Sequence, residues 1–408
     1  MITRRGTIAS GVVSGASWLA HRGASAGEIG LYLPTLEAAE KAFRDNENRQ
    51  VERLAGLRAA VGDEAGALAV WAERRSGPWP PLAVDVSGST AEAALPAIIS
   101  AAKGKRVVMI NEAHHVSRCR AFAATVARGL RSEGFDILAA EAFISEPGMR
   151  FDERMAAGEA VTFNTGGYTR DPVFAELMRQ ARADGYRLKA YERRGDQAAR
   201  AGESPFDARE AAQAANLEAI LDQNPNACIL IVCGFGHLAE APVSLGIPMA
   251  AKLKARTGID PLTIDQSFGI PAPQAEQEPP LVTALLGHFK PREPIVVRRA
   301  DGSGWGGSLE AKVDMTVFHP RLADTDGRPG WLAVALDRRR MVFALPKDVP
   351  AGGLIQAVPM AEAAAPAVVP ADQYRLPANA SEAVFFLRPG AYEVRMETRG
   401  GRRVLGKL

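Results

Sequence analysis

Between about residues 90 and 270, short apolar runs alternate with amphipathic stretches of helical spacing. RVVMI (Arg106 to Ile110), FDILAAE (Phe135 to Glu141), YRLKAYE (Tyr186 to Glu192), ACILIVCGFGH (Ala227 to His237) and PLTID (Pro261 to Asp265) read as strands. They are bounded by turn residues and rich in β-branched and aromatic side chains. Between them RCRAFAATVARGLRSEG, DPVFAELMRQARADG, DAREAAQAANLEAILDQNP and PMAAKLKARTG read as helices. Gly134 stands where a helix stops, and Asp171-Pro172 supplies a cap and first-turn residue. Strands apolar throughout must be covered on both faces, and this rhythm of strand and helix gives parallel pairing. The expected fold class is α/β, a mostly parallel sheet flanked by helices.

Two other textures flank that region. LEAAEKAF and VERLAGLRAAVG place apolar residues three and four apart, so residues 27–80 are expected to be a helical segment, ended by the Pro-rich RSGPWPP. Past residue 275, PIVVRR, VDMTVF, GWLAVAL, RMVFALP, AVFFLRPG and YEVRMETRGGRRVL are short apolar or alternating runs separated by Gly, Pro and Asp. These read as strands. The Ala/Pro-rich AEAAAPAVVPAD (361–372) reads as a linker. The expected organisation is therefore an α/β catalytic-type domain over 81–270, a β-rich extension over 271–360, and a small β module over 361–408.

The first 26 residues have the order of an export signal: Arg4 and Arg5, a weakly apolar stretch, then the small residues Ala24-Ser25-Ala26. Thr3-Arg4-Arg5 with Ile8 resembles a twin-arginine signal. The expectation is a bacterial protein that works in the periplasm or beyond, its mature chain starting near Gly27. No other run is long and apolar enough to span a membrane. A net charge of +2, without a Lys/Arg run and with 6% aromatic residues, disfavours a nucleic-acid partner. The expected partner is a small-molecule or peptide substrate. Three cysteines, Cys119, Cys228 and Cys233, make no disulfide framework and read as reduced, buried side chains.

In a parallel sheet, ligands sit at the carboxyl ends of the strands. Here those ends carry Asn111-Glu112-Ala113-His114-His115, Glu141, Glu192, Gly234-Phe235-Gly236-His237 and Asp265-Gln266. Several ionisable clusters converging on one edge look like a reaction centre. Imidazole is suited to proton transfer near neutral pH, and a carboxylate bonded to it fixes its tautomer. The candidate catalytic residues are Glu112, His115, Glu141 and His237. His115 would act as general base, with Glu112 orienting it. His114, Tyr168, Glu192 and Arg209 would support the pocket. The same four candidates offer N and O ligands for one divalent metal (Mn, Co or Zn), which would activate water. Both routes lead to hydrolysis by activated water, and no G-x-S-x-G nucleophile elbow is present. Two motifs compete weakly. Gly234 to Ala239 fits G-x-G-x-x-A but follows a late strand. Cys119 at a helix start is a candidate thiol nucleophile.

These residues resemble a known superfamily, that of the erythromycin esterases, the ChaN-like haem-binding lipoproteins and the TraB/Tiki metalloproteases. Its pattern is Gly-Glu-x-x-His after a strand, an Arg at a helix start, Gly-Phe, and a strand ending in Glu. Asn111 to His115, Arg118 or Arg120, Gly134-Phe135 and Glu141 are similar to it, as are Arg209-Glu210, Ala214-Ala215-Asn216-Leu217 and Gly234 to His237. The resemblance covers about 105–266. It implies a central pocket of Glu112, His115, Glu141 and His237, and an exported hydrolase of an ester, lactone or amide. It also implies the alternatives of a haem- or iron-binding protein and of an inert ligand-binding scaffold. Asn111 stands where the family usually has glycine, and the doubled histidine permits a match shifted by one residue.

Overall fold

A computed structural model describes residues 30–45, 50–75, 79 and 82–408. The expected signal at 1–26 lies outside the described residues.

Three helices come first: α1 (Tyr32–Arg44), α2 (Val51–Ala60) and α3 (Glu64–Ala72). They are followed by β1 (Thr90–Ala93), α4 (Ala94–Ala102), β2 (Val107–Glu112), α5 (Ser117–Leu130) and β3 (Phe135–Ala140). Next come α6 (Phe151–Ala156), α7 (Pro172–Ala183), β4 (Arg187–Ala190), α8 (Pro205–Gln223), β5 (Cys228–Gly234), α9 (Met249–Thr257) and β6 (Leu262–Gly269). The chain continues through α10 (Pro280–Phe289), β7 (Ile295–Arg298) and β8 (Met315–Phe318). The last strands are β9 (Arg339–Ala344), β10 (Leu354–Pro359), β11 (Asp372–Arg375), β12 (Glu382–Leu387), β13 (Tyr392–Thr398) and β14 (Gly401–Lys407).

The fold is α/β, with an eight-stranded sheet in the order β1-β7-β8-β6-β2-β5-β3-β4. The six strands from β8 to β4 are mutually parallel, and β7 runs antiparallel to both its neighbours. β2 and β5 lie at its centre, in register from Val107 with Ile229 to Glu112 with Gly234. Side chains of β2 alternate between two apolar layers. Val108 and Ile110 pack with α4, α5 and α7, whereas Val107 and Met109 pack with α8 and α9. Each strand is therefore covered on both faces, which is why the runs are apolar throughout. Asp171 caps α7, its Oδ1 accepting from Val173 and Phe174 N–H at 2.8 and 3.0 Å, with Pro172 at the first position.

The C-terminal region is β-rich. β11-β10-β13-β14 form an antiparallel sheet, and β9 pairs with β12 beside it. The expected boundary at 360 falls within this sheet, because β10 pairs with both β11 and β13. Three local expectations are corrected. PLVTALLGHF inside the expected β-rich stretch is the helix α10, opened by Pro280 and burying Val282, Leu285 and Leu286 at helical spacing. GWLAVAL is a short 3₁₀ turn over Gly330–Ala333, buried through Trp331 and Leu332. Residues 361–372 are no free linker. Val368 and Val369 are buried, and backbone bonds tie Ala367 to Phe163 and Val369 to Val161.

The C-terminal sheet also holds the N-terminal helix. Glu397 on β13 is fully buried, and its Oε1 accepts from the first amides of α1, Tyr32 N at 2.6 Å and Leu33 N at 2.9 Å. A carboxylate there meets the unpaired N–H groups and the positive end of the helix. Arg402 Nε and Gln356 Nε2 neutralise and anchor its other oxygen at 3.0 and 3.2 Å.

Candidate functional site

The polar cluster sits where β2, β3 and β5 end. β2 ends at Glu112, and residues 113–116 turn the chain into α5, with Val116 N bonded to Ala113 O. Glu112 and His114 are two residues apart and turn to each other: Glu112 Oε1 lies 2.9 Å from His114 Nδ1. Arg120, one turn into α5, reaches back with Nε 2.8 Å from Glu112 Oε2 and Nη2 2.9 Å from Oε1. The same guanidinium bonds His114 O at 2.8 Å and pairs with Asp171 at 3.1 Å. Burial alone would raise the Glu112 carboxyl, but Arg120 and His114 outweigh it and bring it down to about 2. Glu112 is therefore an anion that can only accept, so His114 Nδ1 carries the proton between them and Nε2 points toward Glu141.

His114 is packed as firmly as it is bonded. Its ring stacks on Tyr168 at 3.7 Å, with the edge of Phe235 on another side. The Tyr168 hydroxyl is fixed by Glu52 at 3.0 Å. The arrangement needs Gly234 at the end of β5, because a Cβ there would overlap His114 Nε2.

Glu141, just past β3, lies on the far side of that nitrogen. Its Oε2 accepts Gly234 N–H at 2.6 Å, and its Oε1 accepts Arg209 Nη2 at 2.5 Å. Two imidazoles face the same oxygen: His114 Nε2 and His237 Nε2 each lie 3.8 Å from Glu141 Oε1. Burial opposes ionisation of Glu141, yet Arg209, His237 and His114 hold it well below the usual carboxylate range. His237 is backed by Glu210, whose Oε1 is 2.6 Å from Nδ1 and whose Oε2 accepts Met249 N–H. Arg209 Nη1 is 3.1 Å from His237 Nε2. A guanidinium only donates, so this contact makes Nε2 the acceptor and puts the proton on Nδ1 toward Glu210. Burial depresses the His237 pKa, and Glu210 with Glu141 more than compensates, leaving it raised. Glu192, beyond β4, grips Arg209 with both oxygens at 3.1 and 2.5 Å, and Gln213 supports it.

Of the residues singled out from sequence, Glu112, His114, Tyr168, Glu141, Glu192, Arg209 and His237 are thus assembled around one centre. His115 is placed differently. Glu112 orients His114 and not His115, because residues of like parity share a side as a strand ends. The His115 ring stacks on Trp71 of α3 at 4.0 Å, is buried, and its Nδ1 has no hydrogen-bond partner. Burial, with the positive charge of neighbouring groups, pushes its pKa well below the ordinary value, so it stays neutral. Cys119 is buried, and its thiol is pushed up to about 12, the wrong direction for a nucleophile. After Gly236 no helix opens until α9 at Met249, so the glycines there form no dinucleotide turn. Arg120, Asp171 and Glu210 complete the centre. Their sequence signal is charge set in Ala-rich helices or at helix starts, where an unpaired ion would be costly.

The donor set does not fit a divalent metal. Both oxygens of Glu112 are taken by Arg120, and the Arg209 guanidinium stands between Glu141 and His237, where a cation would sit. Among the described residues no group of three or more His, Cys, Asp or Glu side chains is arranged to hold a metal ion. Beside His114 a cavity of about 30 Å³ opens between α1, α2 and residues 163–171. It is far too small for a porphyrin. Among the described residues no helix is long and apolar enough to cross a membrane.

No family model matches the chain, and no curated protein matches it. Among solved structures the type III effector HopBA1 is 14% identical at a TM-score of 0.33, over 55% of this chain and 93% of that one. RRSP, a MARTX toxin effector domain from Vibrio vulnificus CMCP6, is 16% identical at 0.31, over 57% of this chain and 45% of that one. The C-terminal region of Pasteurella multocida toxin, described as having a thiol-protease like catalytic triad, is 11% identical at 0.30, over 58% and 30%. Overlap this low leaves the chemistry to the site's own geometry.

Proposed function

We propose that the protein is an exported hydrolase, related to the erythromycin esterase-like superfamily, that activates water against an ester, lactone or amide. The observation that carries this reading is the pair of carboxylate-backed imidazoles, His114 with Glu112 and His237 with Glu210, facing one ionised carboxylate. Export rests on the signal-like first 26 residues.

His114 Nε2 removes the proton from a water molecule, and Glu112 stabilises the imidazolium that results. Glu141 is held ionised within reach of both rings and supports the cation on His114. Arg209, beside Glu141 and His237, offsets the negative charge that develops on the substrate carbonyl oxygen. The His114 imidazolium then gives its proton to the leaving group and is neutral again, while His237, with Nε2 toward Arg209, holds that guanidinium in place. Buried ion pairs of this kind are weak contributors to stability, and a fold that gathers four in one place keeps them for positioning.

The test is turnover of p-nitrophenyl acetate and butyrate by the purified chain, beside His114→Ala and Glu141→Gln. The expected result is a loss of about 10²-fold or more in kcat/KM for either variant, in line with removal of a general base. Equal turnover by wild type and both variants would sink the assignment.

A further inference from the structure

The cavity beside His114 has apolar walls, among them Leu31, Leu57 and Phe163, and one cation that stands apart. The acids around it are engaged: Asp171 with Arg120, Ser117 and the start of α7, and Glu52 with the Tyr168 hydroxyl. Arg120 is matched by Glu112 and Asp171. Arg170 has no such match. Its Nε donates to Phe163 O at 3.1 Å, and its guanidinium lies 5.4 Å over the Phe163 ring. No carboxylate of the described residues lies within ion-pair distance of it. Its backbone is fixed, because the Tyr32 hydroxyl donates to Arg170 O at 2.7 Å. Arg53 on α2 adds further positive charge nearby.

We propose that this cavity binds the carboxylate of an anionic substrate, with Arg170 as the anchoring residue. A half-buried cation without a counter-charge is unfavourable, and a ligand anion supplies the missing partner. The planar guanidinium fork matches a carboxylate through two parallel bonds. The small volume suits a flat three-atom group at the end of a short chain. Arg170 and His114 line the same cavity, so an anchored carboxylate leaves the rest of the ligand beside the imidazole. The substrate class is then a short ester or amide whose acyl part carries a second, free carboxylate. The word substrate rests on the hydrolase reading above; the anion site does not.

The experiment is calorimetric titration of the full chain with succinate and with its neutral counterpart succinamide. Succinate is expected to bind at least tenfold more tightly. Arg170→Gln should weaken succinate about 10- to 100-fold, the range of a charge-assisted pair, and Arg170→Lys should recover part of it. Equal affinity for the two probes, or no binding of succinate, would overturn the proposal without recourse to a variant that fails to fold. Succinate binding without ester turnover would retain the anion site and remove the hydrolase reading. Turnover of p-nitrophenyl acetate without succinate binding would do the reverse.

Discussion

Glu112 Oε1 lies 2.9 Å from His114 Nδ1, so the carboxylate at the end of β2 belongs to the first of two adjacent histidines. His115, its neighbour, stacks on Trp71 instead. The two imidazoles should therefore differ in what truncation does to turnover. His114→Ala is expected to lower kcat/KM about 10²-fold or more and, because that ring too is buried and stacked, to cost stability comparable with the loss of His115. His115→Ala should retain turnover within about tenfold and lose about 1–3 kcal/mol of stability, the range for a buried ring removed from a stack. Denaturant titration and kcat/KM on both variants check this.

Gly234 admits the His114 ring by lacking a side chain. Gly234→Ala should push that ring from its place between Tyr168 and Phe235 and lower kcat more than it raises KM. Far-UV dichroism should remain that of the wild type. A variant with unchanged kcat would show that the ring's position is not critical.

Asn111 is buried near the end of β2. Its side-chain amide donates to Phe235 O and Asp265 Oδ1, each at 2.7 Å, and its carbonyl accepts Gln266 N–H at 2.8 Å. It thus ties β2 to the loop after β5 and to β6. Asn111→Gly should cost about 2–4 kcal/mol, because it leaves buried polar partners unpaired. Chemical denaturation gives the value directly.

Acid should destabilise the fold partly through His319. Its imidazole is buried at the end of β8, bonded to Gln266 Oε1 at 3.1 Å, and burial with Arg118 nearby brings its pKa down to about 3. The unfolded chain protonates the same ring at its ordinary value of 6.5, so the unfolded state binds more protons between those limits. Stability from this group is complete above pH 6.5 and is lost as pH falls toward 3. His319→Asn should flatten that limb of a stability profile measured between pH 7 and 4.

Glu397 supplies the charge at the start of α1. Glu397→Gln should lower stability by about 1–3 kcal/mol, as for a hydrogen bond made by a charged group. Leu31 and Tyr32 line the cavity, so the same change should also weaken succinate binding.

The parallel sheet and its flanking helices were legible because fully buried strands and amphipathic helices have different periods. The strand ends of that sheet located Glu112, Glu141, Glu192 and His237. The choice between His114 and His115 was harder, since it depends on where β2 stops and the chain turns. Parity with Glu112 was the available signal. Arg170 and the Glu397 clamp were not legible. One is meaningful only because nearby acids are already engaged, and the other joins residues 365 positions apart. GWLAVAL misled because a short apolar run fits a strand or a buried helical turn equally well.

The grip of Glu397 on α1 has a bearing on how the chain is made. The helix that walls the cavity is synthesised early, the histidines in the middle, and the carboxylate that fixes the helix close to the last strand. A ribosome-bound chain can thus complete its parallel sheet while the cavity still lacks a fixed wall. Binding competence should arise only after β13 emerges, which separates the birth of the fold from the birth of the site.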